Sequence, residues 1–184
     1  MSNMKNVAVI LGSIRKDSNT QAIARALSEL APTTLKLNVV TIGNLPLYNP
    51  DLDGSEPAEW LELRSTIKAA DAVLFITPEH NRSFPAALKN ALDIASRPYG
   101  SSAWDGKPGA VISHSPGMTG GFGANHHLRQ CLAYLNVLTV QQPEVYLGSI
   151  GGSIADGNVT NPSTREFLGK FMVAFETWIK KLSD

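Results

Sequence analysis

The chain lacks the marks of several common protein classes. It has one cysteine, Cys131, in 184 residues. An intramolecular disulfide is impossible and a cysteine metal cluster is excluded, so no metal site is expected. Charged residues are only 17% of the chain, and 16 Lys and Arg balance 16 Asp and Glu. A zero net charge argues against a general nucleic-acid binder, which carries a basic excess. It leaves room for one small anion held by local groups. No apolar run approaches the roughly 18 residues of a membrane span. The first apolar run, Val7 to Leu11, is too short for a signal-peptide core. These absences predict a cytoplasmic protein with neither membrane nor nucleic-acid partner. Two N-glycosylation sequons, at Asn81 and Asn158, read as chance without a secretory signal. No internal repeat is visible, and the length predicts one domain over residues 1–184.

What is present is a set of short apolar runs separated by longer amphipathic stretches. Val7-Ala8-Val9-Ile10-Leu11, Ala72-Val73-Leu74-Phe75-Ile76 and Gly109-Ala110-Val111-Ile112 are continuous. Such runs predict strands buried on both faces, as in a parallel sheet covered by helices, and they account for the low charge content. Leu35-Lys36-Leu37-Asn38-Val39 alternates instead and reads as an edge strand. Val137 to Val140 is the expected fifth strand. Helical spacing relates Ile23, Leu27 and Leu30, then Trp60, Leu63 and Ile67, then Leu88, Leu92 and Ala95, then Leu128, Leu132 and Leu135. A last helix carries Phe167, Phe171, Phe175, Trp178 and Leu182, with Asn161 as N-cap and Pro162 in its first turn.

This β-α alternation predicts an open, five-stranded parallel sheet with right-handed crossovers, a three-layer α/β sandwich of strand order 2-1-3-4-5. Such sheets bind ligands beyond the carboxyl ends of their strands, at the switch point beside strand one. The loops after strands one, three and four are therefore where chemistry is expected.

The loop after strand one reads Gly12-Ser13-Ile14-Arg15-Lys16-Asp17-Ser18-Asn19-Thr20-Gln21 and opens a helix. A helix N-terminus has free N–H groups and partial positive charge, which suit an anion. Ser13, Ser18, Asn19 and Thr20 can hydrogen-bond phosphate oxygens, and Arg15 can add a charged contact. There is no Gly-Lys-Ser/Thr ending and no GxGxxG, so the nucleoside-triphosphate and dinucleotide fingerprints are absent. Two readings remain: a phosphomonoester loop, or an ordinary polar loop with a Ser or Asn cap. After strand three comes Thr77-Pro78-Glu79-His80-Asn81-Arg82-Ser83-Phe84-Pro85. Ser83 is the expected N-cap of the next helix, with Pro85 in its first turn. Pro78 stiffens the exit from the strand, and the loop can present N–H groups to a flat heterocycle.

Two segments, Gly12-Ser13-Ile14-Arg15 with Ser18, and Pro78-Glu79-His80-Asn81-Arg82-Ser83-Phe84-Pro85-Ala86-Ala87-Leu88-Lys89-Asn90-Ala91-Leu92-Asp93, resemble the NAD(P)H-dependent FMN reductase family. A third, Ser115-Pro116-Gly117-Met118-Thr119-Gly120-Gly121, matches the family's Ser-x-Gly-x-x-Gly-Gly element. The resemblance runs from about Lys5 to Tyr146. It implies a flavodoxin-like fold and an enzyme that passes hydride from NADPH or NADH to bound FMN. The electrons then go to a quinone-like, metal-oxyanion or other small acceptor in a ping-pong cycle. Quinone, chromate and azo-dye reductases belong to this family. The resemblance places the phosphate loop on Ser13, Arg15, Ser18, Asn19, Thr20 and Gln21, with Thr20 where many members carry Asn. It places the isoalloxazine loop on Pro78, Glu79, His80, Asn81 and Ser83, with His80 where most carry Tyr. Ser115, Gly117, Gly120 and Gly121 approach the other edge of the ring. A homodimer or homotetramer is also implied, with helix 124–136 and the segment around Arg129 and Glu144 as candidate subunit contacts. The alternative is a non-enzymatic FMN electron carrier of flavodoxin type, which usually is strongly acidic and which the zero net charge disfavours.

Other chemistry-bearing residues read as bystanders. His126 and His127 are adjacent on a helix, where successive side chains diverge by about 100°, so they do not chelate one metal jointly. Cys131 sits mid-helix and reads as a buried thiol. His114 ends strand four, where it either lines the ligand edge or packs. Hydride chemistry on a flavin requires no acid or base from Glu79, and no side chain is assigned as catalytic.

Overall fold

The computed structural model of the protein describes residues 4–183. The three continuous apolar runs become β1 (Lys5–Leu11), β3 (Ala72–Pro78) and β4 (Pro108–His114), and the alternating run becomes β2 (Leu35–Val40). All pair in parallel in the order β2-β1-β3-β4, so β1 and β3 are interior. Side chains of a strand alternate between faces, and each run splits accordingly. Val7, Val9, Leu11, Ala72, Leu74, Ile76, Ala110 and Ile112 pack on one side of the sheet. There they meet α1 (Asn19–Leu30) and α5 (Pro162–Ser183). Ala8, Ile10, Val73, Phe75 and Val111 pack on the other. That side is covered by α2 (Ala58–Ala69), α3 (Ala86–Ala95) and α4 (Phe122–Tyr134). β2 buries only Leu35 and Val40, as an edge strand does.

The helical spacings hold. Ile23, Leu27, Trp60, Ile67, Leu88, Leu128, Leu132, Phe171 and Phe175 are buried, and Asn161 caps α5 by accepting from the Thr164 N–H at 3.0 Å. The enclosed indoles keep their donors satisfied: Trp60 Nε1 donates to the Pro46 carbonyl and Trp104 Nε1 to the Leu92 carbonyl, each at 3.0 Å.

Three local expectations need correction. The fifth strand position is not one continuous strand over 137–140. It is shared by β5 (Leu138–Thr139) and β6 (Val145–Leu147), both parallel to β4. Between them the chain leaves the ladder, and side chains take up its carbonyl groups. Arg129 Nη1 donates to the Val140 carbonyl at 3.2 Å and to Thr139 Oγ1 at 3.3 Å. Asn125, fully buried, donates to Ser113 Oγ at 3.1 Å and the Val145 carbonyl at 3.4 Å, and its Oδ1 accepts from Arg129 Nε at 2.9 Å. Arg129 thus turns inward onto the broken strand. Second, Ser83 does not cap α3: Pro85 holds the N-cap position and makes no side-chain cap bond. Ser83 Oγ instead meets His127 Nδ1 at 3.2 Å. Third, α4 begins two residues earlier than the expected 124, and Gly121, at φ 76°, is its N-cap. A small hairpin, β7 (Ile154–Ala155) with β8 (Asn158–Val159), precedes α5.

Candidate active site

The carboxyl ends of β1, β3 and β4 open into a cleft of about 580 Å³. It lies at the predicted switch point, and its size is within the roughly 300–1,000 Å³ typical of small-molecule sites. One wall is the β1–α1 loop: Gly12, Ser13, Ile14, Arg15, Ser18, Asn19 and Thr20. The opposite wall is Pro78, Glu79, His80, Pro85, Ala86 and Ala87, with His114 and Pro116 at the third side.

The first wall ends at the N-terminus of α1. Ser18 caps α1, its Oγ accepting from the Gln21 N–H at 3.3 Å. The Ser18 carbonyl also accepts from Gln21 N at 3.0 Å. The first-turn N–H groups nearer the end have no partner within a helix, and Asn19 and Thr20 occupy those positions. Ser13 Oγ accepts from the Arg15 N–H at 3.3 Å, which folds the loop back on itself. Arg15 is exposed and its Nη2 donates to the Asp17 carbonyl at 3.4 Å. Gly12 is required by close approach: a Cβ there would lie 3.0 Å from Thr77 Oγ1 and 3.2 Å from Thr77 Cα. Any side chain at position 12 would push the β1 and β3 exits apart.

The second wall is set by a tight turn. His80 N donates to the Ser83 carbonyl at 2.8 Å and Ser83 N to the His80 carbonyl at 3.0 Å. Asn81 and Arg82 between them both have positive φ, 50° and 68°. This is the geometry of a two-residue hairpin, for which Asn is suited and Arg is not. Glu79 anchors the turn. Its carboxylate, 11% exposed, accepts from the Ala124 N–H at 3.1 Å and pairs with Arg82 at 3.4 Å. The side chain thereby serves α4, whose glycine N-cap offers no side-chain oxygen of its own. A carboxylate at a helix N-terminus is also favoured by the helix dipole.

The glycine loop lies beside this wall. Ser115 Oγ donates to the Gly117 carbonyl at 2.9 Å, and Gly117 is exposed. Gly120 is buried at φ 60°, where a Cβ would stand 2.5 Å from the Tyr146 carbonyl carbon. The loop is thus pressed onto the β6 exit.

Of the expected site residues, the structure brings Ser13, Arg15, Ser18, Asn19, Thr20, Pro78, Glu79 and His80 to one cleft. Gln21 faces a separate groove with Arg25 and Ser28 on the flank of α1. Asn81, Ser83, Ser115, Gly117, Gly120 and Gly121 shape the adjoining loops without lining the cleft. His114 belongs to the cleft and is 5% exposed. Burial alone pushes its pKa down to about 4. Its place at the end of an interior strand is the sequence signal that marked it; which way it faces follows from the alternation with Ala110 and Ile112. His126 and His127 point apart, to Tyr146 Oη at 3.1 Å and to Ser83. Cys131 is half-buried, and burial pushes its thiol pKa up, so it is no activated nucleophile.

Residues 5–152 match the family model described as NADPH-dependent FMN reductase. A quinone reductase of Pseudomonas putida is 53% identical over 181 residues, 98% of this chain and 97% of that protein. A 2-hydroxy-1,4-benzoquinone reductase of Burkholderia sp is 44% identical over 95% of this chain and 96% of its own. Among solved structures, the flavoenzyme NAD(P)H:(acceptor) oxidoreductase FerB from Paracoccus denitrificans superposes with a TM-score of 0.88 at 44% identity, covering 97% of this chain and 98% of that one. A flavodoxin WrbA-like protein from Agrobacterium tumefaciens, at 19% identity and TM-score 0.62, shares the fold. Matches of this length, on a flavodoxin-like sheet whose cleft falls on the same motifs, have one meaning: the chain belongs to the NADPH-dependent FMN reductase family.

Proposed function

We propose that this protein holds FMN in the cleft at the carboxyl ends of β1, β3 and β4, and uses NADPH or NADH to reduce a small quinone. The observation that carries the assignment is the α1 N-terminus. It is capped by Ser18, follows the close β1–β3 exit that Gly12 permits, and is lined by Ser13, Asn19, Thr20 and Arg15. Such an end suits a phosphomonoester, with N–H and O–H donors and a partial positive charge on one spot. Net charge elsewhere adds no attraction, so the local groups supply it.

Bound FMN supplies the ring that accepts a hydride and gives up two electrons. The protein's residues orient that ring and shape its surroundings. Pro78, Glu79 and His80 would line one edge of the ring site, with Asn81 and Ser83 in the turn that supports them. Glu79 fixes that edge by its bond to the start of α4. The loop of Ser115, Gly117, Gly120 and Gly121 adjoins the cleft next to Pro116, and any of its N–H groups that reached the ring would stabilise negative charge developing there. A single cleft that admitted the nicotinamide and the acceptor in turn would work as a ping-pong cycle, and no side chain of the cleft would be required as acid or base. His80 adds a titratable ring at the rim.

We further assign a homo-oligomer, dimer or tetramer. Tyr99 and Tyr134, 89% and 86% exposed, flank an 800 Å³ groove between α3 and α4 that also holds Leu135 and Cys131. The test of the function is turnover of FMN-loaded protein with both nicotinamides against a panel of quinone, dichromate, azo-dye and nitroaromatic acceptors. Quinones are expected to give the highest kcat/KM. Preference for dichromate or an azo dye would move the acceptor assignment.

A further inference from the structure

His114 closes β4, in register with Pro78 on one side and Leu147 on the other. Ala110 and Ile112 of the same strand pack toward α1, and period-two alternation puts His114 on that side as well. Its ring reaches the first turn of α1. Nε2 lies 2.9 Å from Oγ1 of Thr20, which is fully buried, and both residues line the cleft. The other ring nitrogen, Nδ1, is buried and has no partner.

These contacts decide where the imidazole proton sits. If Nδ1 carried it, a buried N–H would be left without an acceptor, the rarer and costlier kind of unpaired group. With the proton on Nε2, the ring donates to Thr20 Oγ1 and leaves only a bare lone pair at Nδ1. A threonine hydroxyl has one proton and two lone pairs. Once one lone pair accepts from His114, the hydroxyl's own proton is free for the cleft.

We propose that His114 is a positioning residue of the phosphate site: by donating to Thr20 Oγ1 it commits the Thr20 hydroxyl to act as a donor toward the phosphate of FMN. This rests on the reading of the α1 N-terminus as the phosphate loop and adds to it a residue outside that loop. The ring is uncharged at neutral pH, because burial favours the neutral form and no charged neighbour opposes it. Arg15, Glu79 and His80 are the other ionisable groups lining the cleft. His114 therefore contributes direction, and Arg15 contributes charge.

The test compares FMN with riboflavin, which has the same ring and no phosphate. Affinities of the apoprotein for each are read from quenching of flavin fluorescence, for wild type, His114→Ala, Thr20→Val and the double variant. A Thr20 hydroxyl no longer held as a donor toward the phosphate predicts up to about tenfold weaker FMN binding in His114→Ala. Riboflavin binding is expected to stay within about twofold, the ring contacts being unchanged. In the Thr20→Val background, removing His114 is expected to change nothing further, as coupling through one contact requires. Independently of any variant, nitrogen NMR of wild type at pH 7 is expected to show His114 neutral with the proton on Nε2. Equal loss for FMN and riboflavin, additive losses in the double variant, or a proton on Nδ1 would each overturn the proposal. If wild type does not prefer FMN to riboflavin, the phosphate-loop reading itself fails. If it does and His114→Ala keeps the full preference, the positioning role alone fails.

Discussion

His114 is a basic side chain that burial keeps uncharged, and this makes it a source of pH dependence. Its folded pKa, about 4, is below the ordinary 6.5, so the unfolded chain binds this proton more tightly. The linked stability is fully present above pH 6.5 and is lost as pH falls toward 4. Between pH 7 and pH 5 the loss from this residue is about 2 kcal/mol. In urea titrations at the two pH values, His114→Gln is expected to shrink the difference by that amount; an unchanged difference would mean that the ring binds its proton equally well in the folded and unfolded chain. Arg15 differs, because it is exposed and holds no partner but the Asp17 carbonyl. Arg15→Ala is expected to weaken FMN binding about threefold to tenfold, read by the same fluorescence quenching, with little change in stability. The grouping of Ser13, Arg15, Ser18, Asn19 and Thr20 at one cleft was legible in the sequence because they follow an interior strand and open a helix, although an ordinary capped loop has the same pattern. The Thr20–His114 bond was not legible, since it joins residues 94 positions apart whose side chains meet only when β4 and α1 have packed.

The elements show the same division between local and long-range signals. Continuous apolar runs gave away interior strands, and the alternating run gave away the edge. The fifth position reads as a single strand because Val137 to Val140 is apolar enough to be one, yet it is divided between β5 and β6. On either side of the break, the side chains of Asn125, Arg129 and Ser113 satisfy the Val140 and Val145 carbonyl groups from two other elements. The start of α4 is similar. Its cap comes from Glu79, 45 residues earlier, so neither end of the bond signals it in sequence. Glu79→Ala is expected to cost about 1–2 kcal/mol in urea unfolding, the range for a lost helix cap. Gly120→Ala combines a left-handed backbone with a Cβ 2.5 Å from the Tyr146 carbonyl carbon. It is expected to cost about 2 kcal/mol or more. A near-neutral result at Gly120 would mean that the glycine loop does not press on β6.

At the scale of the whole molecule, strand order and the position of the cleft followed from the β-α alternation and one edge strand. Zero net charge, which first served to exclude polyelectrolyte partners, accords with a reductase that attracts its anionic ligand through a few local groups. The exposed tyrosines beside α3 and α4 lead to the expectation that light scattering will give at least a dimer, and that Tyr134→Glu will shift it toward monomer. A monomer in the unmutated protein would leave that face unexplained. Among the described residues no helix is long and apolar enough to cross a membrane.

In the proposed activity, one cleft takes electrons from a nicotinamide and gives them to a quinone through bound FMN. Anaerobic mixing of FMN-loaded protein with NADPH or NADH, followed at the flavin absorbance band, tests it most directly. The band is expected to bleach with the nicotinamide alone and to return when a stoichiometric amount of quinone is added. A band that stays unbleached with either nicotinamide, or that bleaches and does not return with quinone, would contradict it.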